Sequence, residues 1–458
     1  MSLISSDKLI GVIGLGRTGM ATARYLKARG KRFFAVEENE TSDAIDLFRR
    51  EFDDVPLLVG KMVESEILRA TELLVSPGIA LDKPVLLAAR QAGIDISCDI
   101  DVFAEAVSAP IVAITGSNAK STVTALVGEM AAAAGLKVGV GGNIGTPALE
   151  LILGDEAQTF DLFVLELSSF QLERMKPLKA AVASVLNISP DHMDRYEGLA
   201  QYHAAKHRIY FGCKNAVFNR GDALTSPLLP GETKTWSFGL DRPDFNAFGL
   251  VEHEDEQYLT FQFEELMPRR EVRLLGNHNT ENALAALAIG KAAGLPMAAM
   301  LDTLRTFGGL PHRCERVADA HGVIYINDSK GTNIGATIAA IKGFASPVRD
   351  NLVLIAGGVG KGADFELLAK GVVATKAAVT IGVDGPAIAA ALQRVGVKTF
   401  AAASLDEAVA QASALADVGD VVLFSPACAS FDMFNNYAHR GQCFAESVQR
   451  FIEGVEHG

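Results

Sequence analysis

The sequence has few cysteines and no spacing of them that suggests a disulfide framework. Its 458 residues include five, an odd number, scattered at Cys98, Cys213, Cys314, Cys428 and Cys443 without a C-x-x-C pair. Small secreted domains held by disulfides need an even set at regular spacings. We therefore expect reduced thiols in a cytoplasmic protein, most of them acting as small core residues.

Long apolar runs and excess positive charge are also missing. No uninterrupted apolar run approaches the ~18–20 residues that span a bilayer. The first ten residues, MSLISSDKLI, have no basic region followed by an apolar segment, so we expect no signal peptide. The 42 Lys and Arg against 55 Asp and Glu give a net charge of −13. This charge argues against non-specific nucleic-acid binding, and anionic ligands would need local basic contacts.

A strand, a loop of small residues and a helix follow one another in residues 111–122, IVAITGSNAKST. Residues 111–114 predict a buried parallel strand, and apolar residues at helical spacing continue to a stop at Gly135. Backbone N–H groups of such a loop, a lysine and a hydroxyl group are the parts that hold a nucleoside triphosphate. The candidate residues are Gly116, Ser117, Asn118, Ala119, Lys120, Ser121 and Thr122.

The loop departs from the strict phosphate-binding pattern at Ile114 and Ala119, where that pattern has glycine. If residue 119 has a positive φ, alanine costs about 1–2 kcal/mol relative to glycine. An ordinary β–turn–α corner with an exposed lysine is the alternative interpretation of the same letters.

Polar residues follow the next strands of the same unit. Glu166 ends the predicted strand 163–165, where a carboxylate beside a phosphate loop is a good oxygen ligand for Mg²⁺. Asn143 lies in a Gly-rich loop, and Asp191, His192 and Asp194 cluster after the strand predicted from residue 182. Each of these side chains could instead be a turn former, a cap or a surface group.

The N-terminal segment 8–19, KLIGVIGLGRTG, contains G-x-G-x-x-G after a strand at residues 9–13. This pattern is typical of a dinucleotide-binding Rossmann domain, although a UDP group would be served equally well. Ser76 follows a second strand at residues 72–75, in a turn at the same predicted sheet edge.

The remainder of the chain predicts a β-rich peripheral region at residues 211–276, an Ala-rich helix near residues 276–291, and a third α/β unit. Strands at 323–327, 352–356, 380–383 and 421–424 end in loops with charged or hydroxyl side chains. Ligands of open α/β sheets bind at such strand ends. The residues concerned are Asp328, Lys330, Lys361, Ser430 and Arg440.

These patterns predict an α/β protein of three domains, consistent with about 100–200 residues per domain. We expect a Rossmann-like domain at residues 1–107, a central domain with a mostly parallel, P-loop ATPase-like sheet at 108–309, and a C-terminal Rossmann-like domain at 310–458.

Twelve segments, in order along nearly the whole chain, resemble the Mur ligase family. They are GLGRTG, SPGIAL, ITGSNAKST, GNIGTP, ELSSFQLE, NISPDHMDRY, YHAAKHRIY, HNTENALAA, LPHRCE, NDSKGTN, GGVGKGADF and SPACASFDMF. Three of them, ELSSFQLE, HMDRY and SPACASFD, resemble the D-glutamate-adding branch. The resemblance implies a cytoplasmic, monomeric enzyme of peptidoglycan synthesis, with no nucleic-acid or membrane partner. Its substrates would be ATP, D-glutamate and UDP-N-acetylmuramoyl-L-alanine, joined through an acyl phosphate.

The resemblance also implies roles for single residues. Catalysis would involve Lys120, His192, Lys206 and Lys330. Two Mg²⁺ ions would be held by Ser121, Glu166, His192 and Lys206, the last as an N-carbamate, because an ammonium cannot bind a cation. Besides the loop residues 116–122, ATP would be bound by Asn279, His312, Arg313 and Asp328.

UDP-sugar contacts are implied for Thr18, Ser76, Asn143 and His192, and glutamate contacts for Thr332, Lys361, Ser430 and Tyr437. Tyr437 stands where the family often has Phe. The segment 37–39, Glu-Glu-Asn, lacks the basic residue that often meets the UDP group.

Three other functions account for parts of the sequence. A folylpolyglutamate-synthase-like ligase would share the phosphate loop and Lys206, but should lack GLGRTG ahead of them. An NAD(P)-dependent oxidoreductase would use GLGRTG and leave Lys120, Glu166 and Lys206 unexplained. A non-catalytic nucleotide sensor would not need that complete set.

Overall fold

A computed structural model describes residues 8–154, 159–193, 195–228, 233–274, 276–346 and 348–456. Asp194 of the predicted cluster therefore lies outside the described residues. Within these ranges the chain forms three sheets, of five, nine and six strands. This mixed, mostly parallel α/β architecture confirms the predicted fold class. The domain boundaries at 107 and 309 stay a prediction.

The first sheet is parallel throughout, in the order β3-β2-β1-β4-β5. Its elements are β1 (Leu9–Ile13), α1 (Arg17–Ala28), β2 (Arg32–Glu37), α2 (Asp43–Glu51), β3 (Leu57–Val59), α3 (Glu64–Ile67), β4 (Glu72–Val75), α4 (Pro84–Gln91), β5 (Asp95–Ser97) and α5 (Asp99–Ala106). The third glycine of GLGRTG, Gly19, has no room for a side chain, because a Cβ there would lie 1.9 Å from the Gly14 carbonyl oxygen. The glycine-rich turn and helix α1 can therefore pack closely.

The central sheet has the order β14-β13-β12-β11-β10-β9-β6-β8-β7. Its elements are β6 (Ile111–Thr115), α6 (Lys120–Ala133), β7 (Val138–Gly142), β8 (Leu162–Glu166), α7 (Ser169–Leu172), β9 (Val182–Val185), α8 (Leu199–His207), β10 (Asn215–Asn219), β11 (Lys234–Phe238), β12 (Ala247–His253), β13 (Glu256–Phe261), β14 (Glu264–Pro268), α9 (Asn277–Ala292) and α10 (Met297–Thr306). Short 3₁₀ turns cover Ala148–Ile152, Arg208–Tyr210, Ala223–Thr225 and Arg269–Glu271.

Strand β6 lies inside this sheet, between β9 and β8, and is buried on both faces. Val112 and Ile114 point to a core shared with α6 and α9, whereas Ile111 and Ala113 point to the opposite core. The alternation follows from the two-residue period of a strand. The end of β6, where the phosphate loop begins, is therefore held by packing from both sides.

The third sheet has the order β15-β16-β20-β17-β18-β19, with only β15 antiparallel to its neighbour. Its elements are β15 (Glu315–Ala320), β16 (Val323–Asn327), α11 (Ile334–Phe344), β17 (Leu352–Gly357), α12 (Phe365–Gly371), β18 (Thr375–Ile381), α13 (Gly385–Arg394), β19 (Lys398–Ala401), α14 (Leu405–Leu415), β20 (Val421–Phe424) and α15 (Tyr437–Glu456).

None of the helices within the described ranges combines the length and apolar character that crossing a membrane requires. All five cysteines have free thiols, and Cys98, Cys213 and Cys428 are buried, as expected for small core residues.

Candidate functional site

The phosphate loop joins β6 to α6 as the sequence predicts. Ala119 is the N-cap of α6 and has the left-handed values φ 65° and ψ −9°. Lys120 folds back over the loop, and its Nζ donates to the carbonyl oxygens of Gly116 at 2.7 Å and Ser117 at 2.8 Å. A lysine ammonium and a helix N-terminus at one small-residue loop form the combination that binds phosphate groups.

Asn187 and Ser189, which follow β9, hold this loop, and the predicted site included neither of them. The side-chain oxygen of Asn187 accepts from the Asn118 N–H at 2.8 Å, and its amide donates to the Asn118 carbonyl at 3.2 Å. Ser117 Oγ donates to the Ser189 carbonyl at 2.9 Å. The signal was available in the NISPDHMDRY segment, because neighbouring parallel strands end at the same edge of a sheet.

Glu166 and Ser121 form an oxygen-rich group beside the loop. Ser121 Oγ donates to Glu166 Oε2 at 2.5 Å, and Asn143 donates to Glu166 Oε1 at 2.6 Å. Glu166 is 2% exposed. Carboxylate and hydroxyl oxygens suit Mg²⁺, which usually takes one or two protein ligands together with substrate phosphates. The described residues contain no group of three or more His, Cys, Asp or Glu side chains that could hold a metal ion.

Lys206 lies under the same loop. Its Nζ donates to the Gly116 carbonyl at 2.8 Å and lies 4.7 Å from the Tyr202 ring centroid, and the residue is 1% exposed. Burial, together with the neighbouring Lys120 ammonium, holds the pKa of Lys206 well below its usual value. The neutral amine so favoured is the form that can add to CO₂ and become a carbamate.

His192 and Asp191 lie on the loop after β9. The His192 ring packs against Phe170 with 4.8 Å between centroids, and its Nε2 lies 3.8 Å from Asp191 Oδ2. Asp191 is the second carboxylate of the site. Its charge raises the pKa values of Lys120 and Lys206, against the larger lowering by burial. The sequence pattern placed Asp191 in the cluster with His192 and predicted no role for it.

A cleft between the central and third sheets gathers most of the predicted ATP residues. Asn279 accepts from Asn282 at 3.1 Å within it, and Arg313 reaches across to donate to Ser121 Oγ at 2.5 Å. The predicted residues lining the cleft are Asn118, Ala119, Thr122, Asn279, Arg313, Asp328 and Lys330. His312 instead lies 3.1 Å from the amide of Asn327, beside Gly441.

Two buried charges in this cleft have shifted pKa values. Burial raises the pKa of Asp328 to about 6, and its Oδ2 accepts from Ser425 Oγ at 2.6 Å. Burial, helped by the nearby Arg313 guanidinium, lowers the pKa of Lys330 to about 8. Shifted groups of this kind are common at functional sites.

The predicted glutamate residues lie on the loops and the first helical turn at one edge of the third sheet. Lys330 Nζ lies 3.9 Å from the Tyr437 ring centroid, and Lys361 Nζ lies 5.7 Å from that of Phe431. The Thr332 N–H donates to the Lys330 carbonyl at 2.8 Å. Ser430 is buried, while Lys361 is exposed.

The predicted UDP-sugar residues Thr18 and Ser76 lie at the carboxyl edge of the first sheet. Ser76 Oγ donates to the Gly14 carbonyl at 2.7 Å, which joins the two loops of that edge. Glu37, the acid that a dinucleotide-binding domain would direct at a ribose, accepts from the Leu15 N–H at 2.8 Å. Asn143 is separate from this group, since it contacts Glu166.

Comparison with known proteins finds the same family along the chain. Residues 8–98 match the Mur ligase MurD-like N-terminal domain, residues 114–290 the Mur ligase middle domain, and residues 312–428 the Mur ligase glutamate ligase domain. The chain is 53% identical to the UDP-N-acetylmuramoylalanine–D-glutamate ligase of Pseudomonas fluorescens over 98% of this chain and 99% of that one. It is 52% identical to the enzyme of that name from Pseudomonas aeruginosa, with the same coverage.

Among solved structures, the MurF ligase of Thermotoga maritima in complex with ADP has a similar fold. The two chains share 16% identity with a TM-score of 0.61, over 94% of this chain and 97% of that one.

Proposed function

This chain belongs to the Mur ligase family, and we propose from that premise that it joins D-glutamate to UDP-N-acetylmuramoyl-L-alanine at the expense of ATP. The observation that carries the choice of substrates is the 53% identity, over 98% of the chain, to a relative named for that reaction. The site supports the reaction class, because Lys120, Lys206 and Glu166 surround one phosphate loop.

The reaction would begin with attack of the alanine carboxylate on the γ-phosphorus of ATP. A new O–P bond forms, the bond to the β,γ-bridging oxygen breaks, and ADP leaves an acyl phosphate behind. Repulsion between two anions is the main obstacle. Lys120, over the loop, and Lys330, in the cleft, would offset that repulsion electrostatically.

In the second half, the uncharged amine of D-glutamate would attack the acyl carbon. The tetrahedral intermediate collapses to the amide and releases phosphate. We assign the glutamate carboxylates to Thr332, Lys361, Ser430 and Tyr437, at the edge of the third sheet. Closure of that sheet over the central one would exclude water, which otherwise hydrolyses an acyl phosphate.

Ser121 and Glu166 would hold one Mg²⁺, and their paired oxygens fit a hard cation. His192 and Lys206, the latter as a carbamate, would hold a second. When bound, Mg²⁺ neutralises phosphate charge and orients the triphosphate. The depressed pKa of Lys206 supports the modification, because only the neutral amine adds to CO₂.

We further assign residues 1–107 to the UDP group, 108–309 to ATP, and 310–458 to the nucleotide and the amino acid. The UDP-sugar contacts would come from Thr18, Ser76, Asn143 and His192. ATP would contact the loop residues 116–122 with Asn279, His312, Arg313 and Asp328. We place the protein in the cytoplasm, where these substrates are made.

The deciding experiment measures phosphate release from ATP and Mg²⁺ with UDP-N-acetylmuramoyl-L-alanine, in three reactions containing D-glutamate, L-glutamate or no amino acid. We expect release and a new amide only with D-glutamate. Release only with L-glutamate would change the substrate and keep the mechanism. No release from folded, ATP-binding protein would refute the proposal.

A further inference from the structure

We propose that Arg174 is a positioning residue, which fixes the loop carrying Ser76 at a set distance from the phosphate loop. We call residues 75–79 the Ser76 loop. The inference rests on the proposed function, because it concerns how the two ends of the UDP-linked substrate are held. It adds a residue that neither the motifs nor the family roles above include.

Arg174 makes several hydrogen bonds, and they connect the central unit to the first sheet. Its guanidinium donates to four carbonyl oxygens of the Ser76 loop: Ser76 at 2.8 Å, Ile79 at 2.9 Å, Pro77 at 3.0 Å and Val75 at 3.3 Å. Only 1% of its side chain is exposed. Arg174 follows α7 of the central unit, whereas the Ser76 loop follows β4 of the first sheet. One buried cation therefore joins the two units.

Glu173 extends this connection to the loop of His192. Its carboxylate accepts from Arg195 at 2.6 Å, from Arg174 at 3.1 Å and from the Tyr196 hydroxyl at 3.2 Å. Arg195 lies over the Phe170 ring at 5.0 Å, and the His192 ring packs against the same Phe170. A continuous set of contacts thus runs from the Ser76 loop to the loop after β9.

The substrate gives this connection a purpose. In the proposed reaction the UDP group is held at the edge of the first sheet, while the reacting carboxylate must reach the phosphate loop of the central sheet. The distance between the two loops therefore sets where the carboxylate lies. Ser76 Oγ also donates to the Gly14 carbonyl, so a shift of the Ser76 loop would move the glycine-rich loop with it.

A guanidinium is suited to this role and a lysine is not. Arginine presents five N–H donors in a rigid fork, which lets one side chain bond several carbonyls at once. A lysine ammonium at the end of a flexible chain could meet only some of them. Replacement by lysine should therefore preserve the charge and loosen the loop.

The test compares Arg174→Met with a matched variant, Arg208→Met. Arg208 is a half-buried arginine that likewise donates to backbone carbonyls, Leu172 at 2.7 Å and Met175 at 2.6 Å, but both lie within the central unit. For Arg174→Met we expect the KM for UDP-N-acetylmuramoyl-L-alanine to rise about tenfold, with kcat and the KM values for ATP and D-glutamate within about threefold of wild type. Arg208→Met should leave the KM for UDP-N-acetylmuramoyl-L-alanine unchanged relative to the KM values for ATP and D-glutamate.

Hydrogen exchange supplies a readout that does not depend on turnover. Amides of residues 75–82 should exchange faster in Arg174→Met than in wild type, and not in Arg208→Met. If Arg174→Met does not fold, Arg174→Lys is measured instead, with the same changes expected at smaller size. An unchanged KM for the UDP substrate, an equal rise in all three KM values, or unchanged exchange would overturn the inference. A wild-type protein that makes no amide would refute the proposed function, while the exchange comparison would still decide the role of Arg174.

Discussion

Ala119 has a backbone conformation that alanine rarely adopts. Its φ of 65° places Cβ against the following carbonyl, a conformation that glycine adopts without this strain. The strain is located at the first turn of α6, where the phosphate loop must be rigid. The sequence predicted this cost conditionally, and the structure meets the condition.

Ala119→Gly should therefore raise the free energy of unfolding by about 0.5–1 kcal/mol, since relief of left-handed strain exceeds the added entropy of glycine in the unfolded chain. Ala134→Gly is the control, at the other end of the same helix with φ −76°, and should be neutral or destabilising. Urea denaturation of both variants measures the difference. Equal effects at the two positions would contradict the strain assignment.

Lys206 is the residue whose chemistry depends most on its surroundings. Lys206→Ala should lower kcat by about 100-fold or more, because it removes the amine that we propose becomes a carbamate and holds a cation at the phosphate loop. Short carboxylic acids such as acetate should restore part of the rate. Lys214→Ala, at an exposed lysine, serves as the control. Near-normal activity of Lys206→Ala would disprove the carbamate assignment.

Lys330 should give the reaction an alkaline limit. Its pKa is lowered to about 8 by burial and by Arg313, so the ammonium loses its charge as the pH rises through 8. We expect kcat/KM for ATP to fall about tenfold per pH unit above that value, since this ratio reports the free enzyme. In Lys330→Arg the guanidinium stays charged and the fall should disappear, even if the rate is lower. A fall that persists in Lys330→Arg would assign it to another group.

Single residues divide into those that the sequence could place and those that it could not. Lys120, Ser121 and Glu166 follow from strand ends and loop chemistry, and the structure brings them together. Arg174 could not be found in this way. Its partners are backbone carbonyls about 100 residues away, and a carbonyl carries no side-chain signal in the sequence.

At the scale of elements, strands buried on both faces were the most predictable. The predicted strands 9–13, 72–75, 323–327 and 421–424 have the bounds of β1, β4, β16 and β20. The strand predicted at 380–383 was wrong at both ends, because β18 runs Thr375–Ile381. Lys376 interrupts its apolar run, and the lysine is accommodated by an ion pair with the buried Asp420 at 3.1 Å.

The region 211–276 shows the limit of pattern reading for whole elements. It was predicted as peripheral β structure, whereas β10, β11 and β12 continue the central sheet in parallel before β13 and β14 add antiparallel strands at its edge. Short alternating runs predict strands but not their neighbours, since pairing depends on contacts distant in sequence.

Asn333 caps helix α11 of the third unit and also contacts the central unit. Its Oδ1 accepts from the Ala336 N–H at 2.8 Å as the N-cap of α11, while its Nδ2 donates to Asn118 at 3.3 Å and Asp191 at 3.5 Å. Asn333→Asp should retain the cap and hence the stability. It should raise the KM for ATP severalfold, about 1 kcal/mol, because a carboxylate would face Asp191.

Asn333→Ala should lose both the helix cap and the contacts with the central unit. It should therefore raise the KM for ATP and also lower the free energy of unfolding by about 1 kcal/mol. The reverse swap, Asp364→Asn at the cap of α12, is the control and should change neither quantity. If Asn333→Asp bound ATP normally, its contacts with the central unit would have no role in nucleotide binding.

At the scale of the whole molecule, the proposed ATP cleft depends on the central and third sheets being held together. Arg313, between the second and third sheets in the chain, donates to Ser121 Oγ of the phosphate loop at 2.5 Å, and Asn333 makes the neighbouring contacts. A charge-assisted hydrogen bond in a buried setting is stronger than an exposed one. The contact between the central and third sheets should therefore depend on Arg313.

Arg313→Met should weaken ATP binding about tenfold, or about 1.4 kcal/mol, and enlarge the radius of gyration measured by small-angle scattering, because the third sheet would be freer to move from the central one. Arg316→Met is the matched control, since Arg316 pairs with Asp319 on its own strand β15, and it should change neither quantity. The midpoint temperature of thermal unfolding should be the same in both variants as in the wild-type protein. Weaker ATP binding without expansion would make Arg313 a nucleotide ligand only, whereas expansion in both variants would trace the effect to the strand rather than to its contact with Ser121.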